Sequence, residues 1–274
     1  MPLPADRIAS YAEDLLAARD AGRQVAPISE REPGFGMADA HAIAARIRTL
    51  RYASGEAPVG RKIGFTNRTL WESYGVAAPI WGDMYDDTVH RLGDGPARVA
   101  LPALPEPRIE PEIAFGLTAG PEAGMDRAAL LGCIGWVAHG FEIVTSVFPG
   151  WRFAAADTQA AFGLHGALFL GPRQKLSSLG ADPAGVLSGL TLTLSGGDGI
   201  EAQGTGRDVL DGPVQALEHL LQELARVPEE PPLKAGDIVT TGTLTDAMPV
   251  KPGERWTTEI AGCDLPGLDV TFKG

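Results

Sequence analysis

The 274 residues carry a formal charge of −12 and a pI near 4.8, which argues against a general nucleic-acid-binding role, since phosphate needs a basic surface. A composition of 44% hydrophobic and 21% charged residues is that of a folded chain, and the 35 Gly and 22 Pro speak for tight turns and short strands rather than a helical bundle. Cys133 and Cys263 form no CxxC pair and no zinc spacing, the N-terminus lacks a basic-then-apolar leader pattern, and no stretch is apolar enough to span a membrane, so a cytoplasmic protein is expected.

In chain order, residues 1–80 read as a helical N-terminal region. Ile8, Tyr11, Leu15 and Leu16 recur at helical spacing in a segment ending near Gly22, and Ile43, Ile47 and Leu50 line one face of a second helix over about 38–52. A short third helix is expected from Asn67, an N-cap residue, to Gly75. Between the last two, Gly60-Arg-Lys-Ile-Gly-Phe-Thr66 reads as extended. Residues 81–274 read as a strand-rich region forming one compact unit. Strands are expected over 108–118, 141–145, 166–171, 189–195, 237–242, 255–260 and 268–273, interrupted by helices over about 126–138 and 213–226. Leu217, Leu220, Leu221 and Leu224 give the last helix its apolar stripe.

Strand alternation organises Arg108-Ile-Glu-Pro-Glu-Ile-Ala-Phe-Gly-Leu117. Ile109, Ile113 and Phe115 share one face; Arg108, Glu110 and Glu112 share the other. Two carboxylates one pleat repeat apart repel, and a hard divalent cation such as Mg²⁺ or Mn²⁺ relieves that repulsion. The same spacing fits the wet face of an exposed strand. Glu142, in the strand-like run Gly140-Phe-Glu-Ile-Val144, adds a third acid that needs a partner or a ligand if buried.

Other candidates are single residues with ordinary alternatives. Lys62, flanked by glycines, suits a carboxylate or acid–base work, or is a surface lysine. Asp86 is a candidate general base or a turn cap. His139 and His165 have no partner that the sequence reveals. The run Thr240-Thr241-Gly242-Thr243 can present N–H and O–H groups to a carboxylate, or is plain strand-to-turn chemistry.

Together, Gly60-Arg-Lys-Ile-Gly64, the segment from Gly82 to Asp87, Arg108 to Phe115, Glu142 and Leu233-Lys-Ala-Gly-Asp-Ile-Val-Thr-Thr-Gly-Thr243 resemble, in this order, the fumarylacetoacetate hydrolase superfamily. The chain looks like its branch of 2-keto-4-pentenoate hydratases and 4-oxalocrotonate decarboxylases from about residue 40 to the end. The resemblance implies an α+β fold: a mixed β-sandwich-like roll with outer helices and a helical N-terminal part. It implies Mg²⁺ or Mn²⁺ held by Glu110, Glu112 and Glu142, with Lys62 and Asp86 as catalytic side chains. Thr241, Gly242, Thr243 and His165 are then expected against a small anionic 2-keto acid. The implied activity is hydration of an unsaturated acid such as 2-keto-4-pentenoate through a metal-stabilised enolate. Decarboxylation, C–C bond hydrolysis and a non-catalytic accessory role stay open. Members are usually homo-oligomers acting in aromatic-compound breakdown. One departure stands out: the hydratases carry Asn-x-Ser where this chain has Phe162-Gly-Leu164.

Overall fold

The computed structural model describes residues 2–273, with Leu70 and Ser73 described by backbone alone. Its helices are α1 Ala5–Asp20, α2 Ile28–Arg31, α3 Met37–Ala53, α4 Trp71–Tyr74, α5 Arg127–Gly132, α6 Ala155–Ala160, α7 Pro183–Gly189 and α8 Pro213–Leu224. The strands are β1 Pro58–Gly64, β2 Ile80–Tyr85, β3 Val89–Arg91, β4 Ala97–Ala100, β5 Arg108–Leu117, β6 Ile134–Val144, β7 His165–Leu170, β8 Gln174–Lys175, β9 Thr191–Gly196, β10 Ile200–Thr205, β11 Ile238–Thr243, β12 Met248–Pro249, β13 Arg255–Ala261 and β14 Asp269–Lys273.

Among the described residues, one sheet runs β2-β1-β11-β5-β6-β7-β3, with β12 on β5 and β8 on β6, and a second runs β10-β9-β13-β14-β4. Directions are mixed: β1 lies parallel to β11, β3 to β7 and β4 to β14, and the other pairs are antiparallel. The two sheets share one core. Ile109, Ile113, Phe115, Phe141 and Ile143 of the first belong to the same buried cluster as Leu192, Leu194, Trp256, Val270 and Phe272 of the second, with the leucine stripe of α8 beside them. His139 reaches between the sheets. Its Nδ1 lies 2.9 Å from the carbonyl of Glu112 and its Nε2 2.9 Å from Thr258 Oγ1. Burial pushes the imidazole down to about 4, so it is neutral and structural.

A smaller core forms where α1, α3 and α6 bring Tyr11, Leu15, Ile43 and Ile47 against Phe148 and Phe162. A buried ion-pair network ties these helices to the large sheet. Arg48 of α3 pairs with Asp83 at 2.6 Å and with Glu230, and Arg61 of β1 pairs with the same Asp83.

Two expectations about elements need correction. The helical region does not run unbroken to residue 80: the segment read as extended is Pro58–Gly64, an interior strand of the large sheet, and the short helix expected from Asn67 follows it as a helical turn and α4. The helix expected over 126–138 stops at Gly132. Ile134–Val144 is instead an eleven-residue strand flanked by β5 and β7. Neighbours cover both of its faces, so apart from His139 and Glu142 its sequence is apolar and lacks the alternation that would separate it from a helix.

Candidate active site

The site grows from strand register. Glu110 on β5 stands directly across from Glu142 on β6, and Glu112 across from Gly140. Like charges so placed destabilise a sheet unless something binds them. Ligand oxygens of Glu110, Glu112 and Glu142 all lie within 4.8 Å of one another. Glu112 and Glu142 are fully buried, whereas Glu110 is partly open to the cavity above.

Neighbouring strands supply the rest. Lys62 on β1 sits beside Thr240 of β11 and places Nζ 3.2 Å from Glu142 Oε2. Between Thr240 and Thr243 the β11–β5 register slips, and Gly242 there has φ of 100°. This bulge turns the Gly242 N–H to donate to Glu112 Oε2 at 2.8 Å. A side chain at Gly242 would put its Cβ 1.9 Å from Thr66 Oγ1, so the position needs glycine for room as well as for φ. Behind Glu142, His165 Nδ1 lies 2.7 Å from Glu142 Oε1, and Nε2 lies 2.9 Å from Thr88 Oγ1. Burial, then the nearby charge of Lys62, holds this imidazole well below its usual range. It is therefore neutral, with Nδ1–H donating to the carboxylate.

Burial raises all three carboxyls. Glu110 and Glu142 are pushed up to about 7, opposed by the charge of Lys62, and Glu112 is raised well above its usual value by burial and then by Glu142. For Lys62, burial is the largest influence and works to lower it, but Glu142, Glu110 and Glu112 together outweigh burial and raise it, so the ammonium stays charged. Among the described residues, Glu112 Oε1 has no hydrogen-bond donor. A buried acceptor without a partner, beside two more carboxylates, is what a hard cation would satisfy. The all-oxygen donor set suits Mg²⁺ or Mn²⁺.

Above the carboxylates lies a cavity of about 350 Å³ whose wall includes Lys62, Glu110, Gly242 and Thr243. Three expected residues stand elsewhere. Asp86 is exposed, and its Oδ1 accepts from the backbone N–H of Ala57 and of Asp87. It caps the turn after β2 and does not line the cavity. The Thr241 hydroxyl donates to the carbonyl of Ile113 at 3.0 Å, away from the cavity. His165 supports Glu142 from behind instead of facing the cavity.

Sequence reasoning passed over Arg108, Trp151, Phe153 and Tyr74 as cavity residues. Arg108 was visible on the Glu110 face by alternation. The aromatic residues carry no such signal, because they arrive on loops and a short helix. Phe162, Gly163 and Leu164 all have φ between 58° and 64°, so the segment makes a left-handed turn. Phe162 points into the helical core beneath Arg19, and Leu164 lines the cavity.

No protein-family model matches the chain. The fold is shared with proteins of the fumarylacetoacetate hydrolase kind. A fumarylpyruvate hydrolase from Pseudomonas aeruginosa, in complex with Mn²⁺ and pyruvate, superposes with a TM-score of 0.55 at 15% identity, over 78% of this chain and 89% of that one. The 4-oxalocrotonate decarboxylase from Pseudomonas putida G7, complexed with magnesium and adipate, superposes with a TM-score of 0.88 at 25% identity, over 98% of both chains. The 2-hydroxyhexa-2,4-dienoate hydratase of Comamonas testosteroni is 31% identical over 270 residues, 96% of this chain and 97% of its own. The 2-keto-4-pentenoate hydratase of Paraburkholderia xenovorans is 30% identical over 254 residues, 92% and 90% of the two chains. The chain belongs to the family of the 2-keto-4-pentenoate hydratases, and it shares its fold with the 4-oxalocrotonate decarboxylase and with the fumarylpyruvate hydrolase.

Proposed function

We propose that the protein is a divalent-metal-dependent hydratase, a lyase that adds water to a small unsaturated 2-keto acid. The observation that carries the reading is the buried meeting of three carboxylates and one lysine at the floor of a cavity. Glu110, Glu112 and Glu142 would hold Mg²⁺ or Mn²⁺, which supplies Lewis acidity toward a carboxylate and its neighbouring keto oxygen.

The chain's own groups do the following. Gly242 N–H fixes Glu112, while Lys62 and His165 grip Glu142 from two sides, so the acids are held before any ligand arrives. Lys62 keeps its proton and faces the cavity, placing a positive charge and a proton donor beside an enolate oxygen. In net terms the enol loses its hydroxyl proton, carbon 5 gains one, and water adds its oxygen at carbon 4 and a proton at carbon 3. The product is a 4-hydroxy-2-keto acid.

The reading includes a homo-oligomer working in the cytoplasm in aromatic-compound breakdown. The unbridged Cys133 and Cys263 accord with a reducing compartment. Among the described residues, no helix is long and apolar enough to cross a membrane.

Purified protein with Mg²⁺ and freshly generated 2-hydroxypenta-2,4-dienoate tests the proposal. Loss of dienol absorbance with gain of one water in the product mass, abolished by EDTA and by Lys62→Ala, is the expected result. An unchanged substrate rejects it. Decarboxylation is a second reading, favoured by the TM-score of 0.88 to a 4-oxalocrotonate decarboxylase. A product lighter by CO₂ from 4-oxalocrotonate would favour it over hydration.

A further inference from the structure

The cavity has two unlike halves. Around its floor stand the charged groups: Lys62, Glu110 and, two residues along the same strand face, Arg108. The remainder of the wall is largely apolar, built from Phe65, Tyr74, Ile80, Trp151, Phe153 and Leu164. The rings are contiguous. Tyr74 lies 5.1 Å from Phe65 and 5.7 Å from Phe153, and Trp151 lies 6.2 Å from Phe153 between ring centroids. At about 350 Å³ the space falls in the size range of pockets for drug-sized ligands, beyond what a five-carbon acid fills.

The wall also bears on the charge of the ligand's far end. A second carboxylate there would lie within walls of aromatic carbon, with the exposed Asp246 already at the rim. Arg108 is itself engaged: its guanidinium carbon sits 4.2 Å from the centroid of the Trp151 ring.

Resting on the reading above, we propose that the preferred substrate is a 2-keto acid with one carboxylate, whose far end carries an aryl or extended alkyl group rather than a second carboxylate. The tail lies along Tyr74, Phe153 and Trp151, and Leu164 closes the wall beside it.

Saturated 2-keto acids have no double bond to hydrate and so report binding alone. Calorimetric titration of Mg²⁺-loaded protein with 2-oxopentanoate, 2-oxo-5-phenylpentanoate and 2-oxoadipate provides the test. The phenyl acid is expected to bind about tenfold or more tightly than 2-oxopentanoate, in line with burial of an apolar ring, and 2-oxoadipate most weakly. Trp151→Ala is expected to weaken the phenyl acid more than 2-oxopentanoate. An unchanged Mn²⁺ affinity in that variant, read by electron paramagnetic resonance, is the control for its fold. Tightest binding of 2-oxoadipate would overturn the inference and assign Arg108 to a distal carboxylate. Equal binding of the phenyl and propyl acids would overturn it too. If none of the three binds, the 2-keto acid reading itself falls, and this inference with it.

Discussion

Glu142 is a fully buried carboxylate held by Lys62 at 3.2 Å and by His165 at 2.7 Å. The imidazole is neutral, so it orients the acid without adding charge. His165→Ala should therefore weaken Mn²⁺ binding about 10- to 100-fold, as loss of an outer support does at other metal sites, while leaving the stoichiometry at one ion. Calorimetric titration checks this. The raised carboxyls carry a second consequence. A metal ligand must be ionised, and Glu110 and Glu142 are pushed up to about 7 by burial. Mn²⁺ affinity should rise steeply from pH 6 to pH 8, and a flat profile would reject that assignment of the ligands. Alternation alone made the Glu110–Glu112 pair legible in the sequence. The support given by His165 was not legible, because it depends on β7 pairing with β6 and on Thr88 arriving from a distant turn. Asp86 shows the converse: its side chain satisfies two local backbone N–H groups, a turn role that the sequence also allowed.

At the scale of elements, the β11 bulge is the device that joins backbone to site. Gly242→Ala forces a Cβ against Thr66 at a φ of 100° and displaces the N–H that holds Glu112. A loss of about 1–3 kcal/mol in stability is expected, together with weaker metal binding, both readable by thermal melts with and without Mn²⁺. A variant that melts like wild type would show that the bulge carries no constraint. Strands with one polar face, such as β5 and β13, were readable from their pattern. Of the long strand β6 only the far end, about residues 141–145, was readable; its first half is covered on both faces and reads as a continuation of the helix before it until its pairing is known. The left-handed turn at Phe162–Leu164 was also hidden, since Phe and Leu rarely adopt positive φ. Only the packing of Phe162 into the helical core explains it.

For the whole molecule, three acids and a lysine are assembled from β1, β5 and β6, with β11 threaded between β1 and β5. Folding without metal therefore concentrates negative charge in a buried place. Glu110 and Glu142 have folded pKa values near 7, against an ordinary value of 4.5 when unfolded. Their favourable contribution is fully present below pH 4.5 and is lost as pH rises through about 7. The metal-free protein should thus lose melting temperature across that window, and Mg²⁺ should restore it above pH 7. Melting curves that respond to Mg²⁺ equally at pH 5 and pH 8 would contradict this linkage. Family motifs spread along the sequence pointed to this assembly before any geometry was known. The aromatic half of the cavity lies outside those motifs and emerged only from the fold.

The central claim is that Glu110, Glu112 and Glu142 form one divalent-metal site. It is tested most directly by titrating Mn²⁺ into metal-free wild type and Glu112→Gln at pH 8, with free Mn²⁺ followed by electron paramagnetic resonance. One ion per wild-type chain, and loss of that binding in a Glu112→Gln protein that still folds, is the predicted result. No binding by wild type, or equal binding by both proteins, would contradict it.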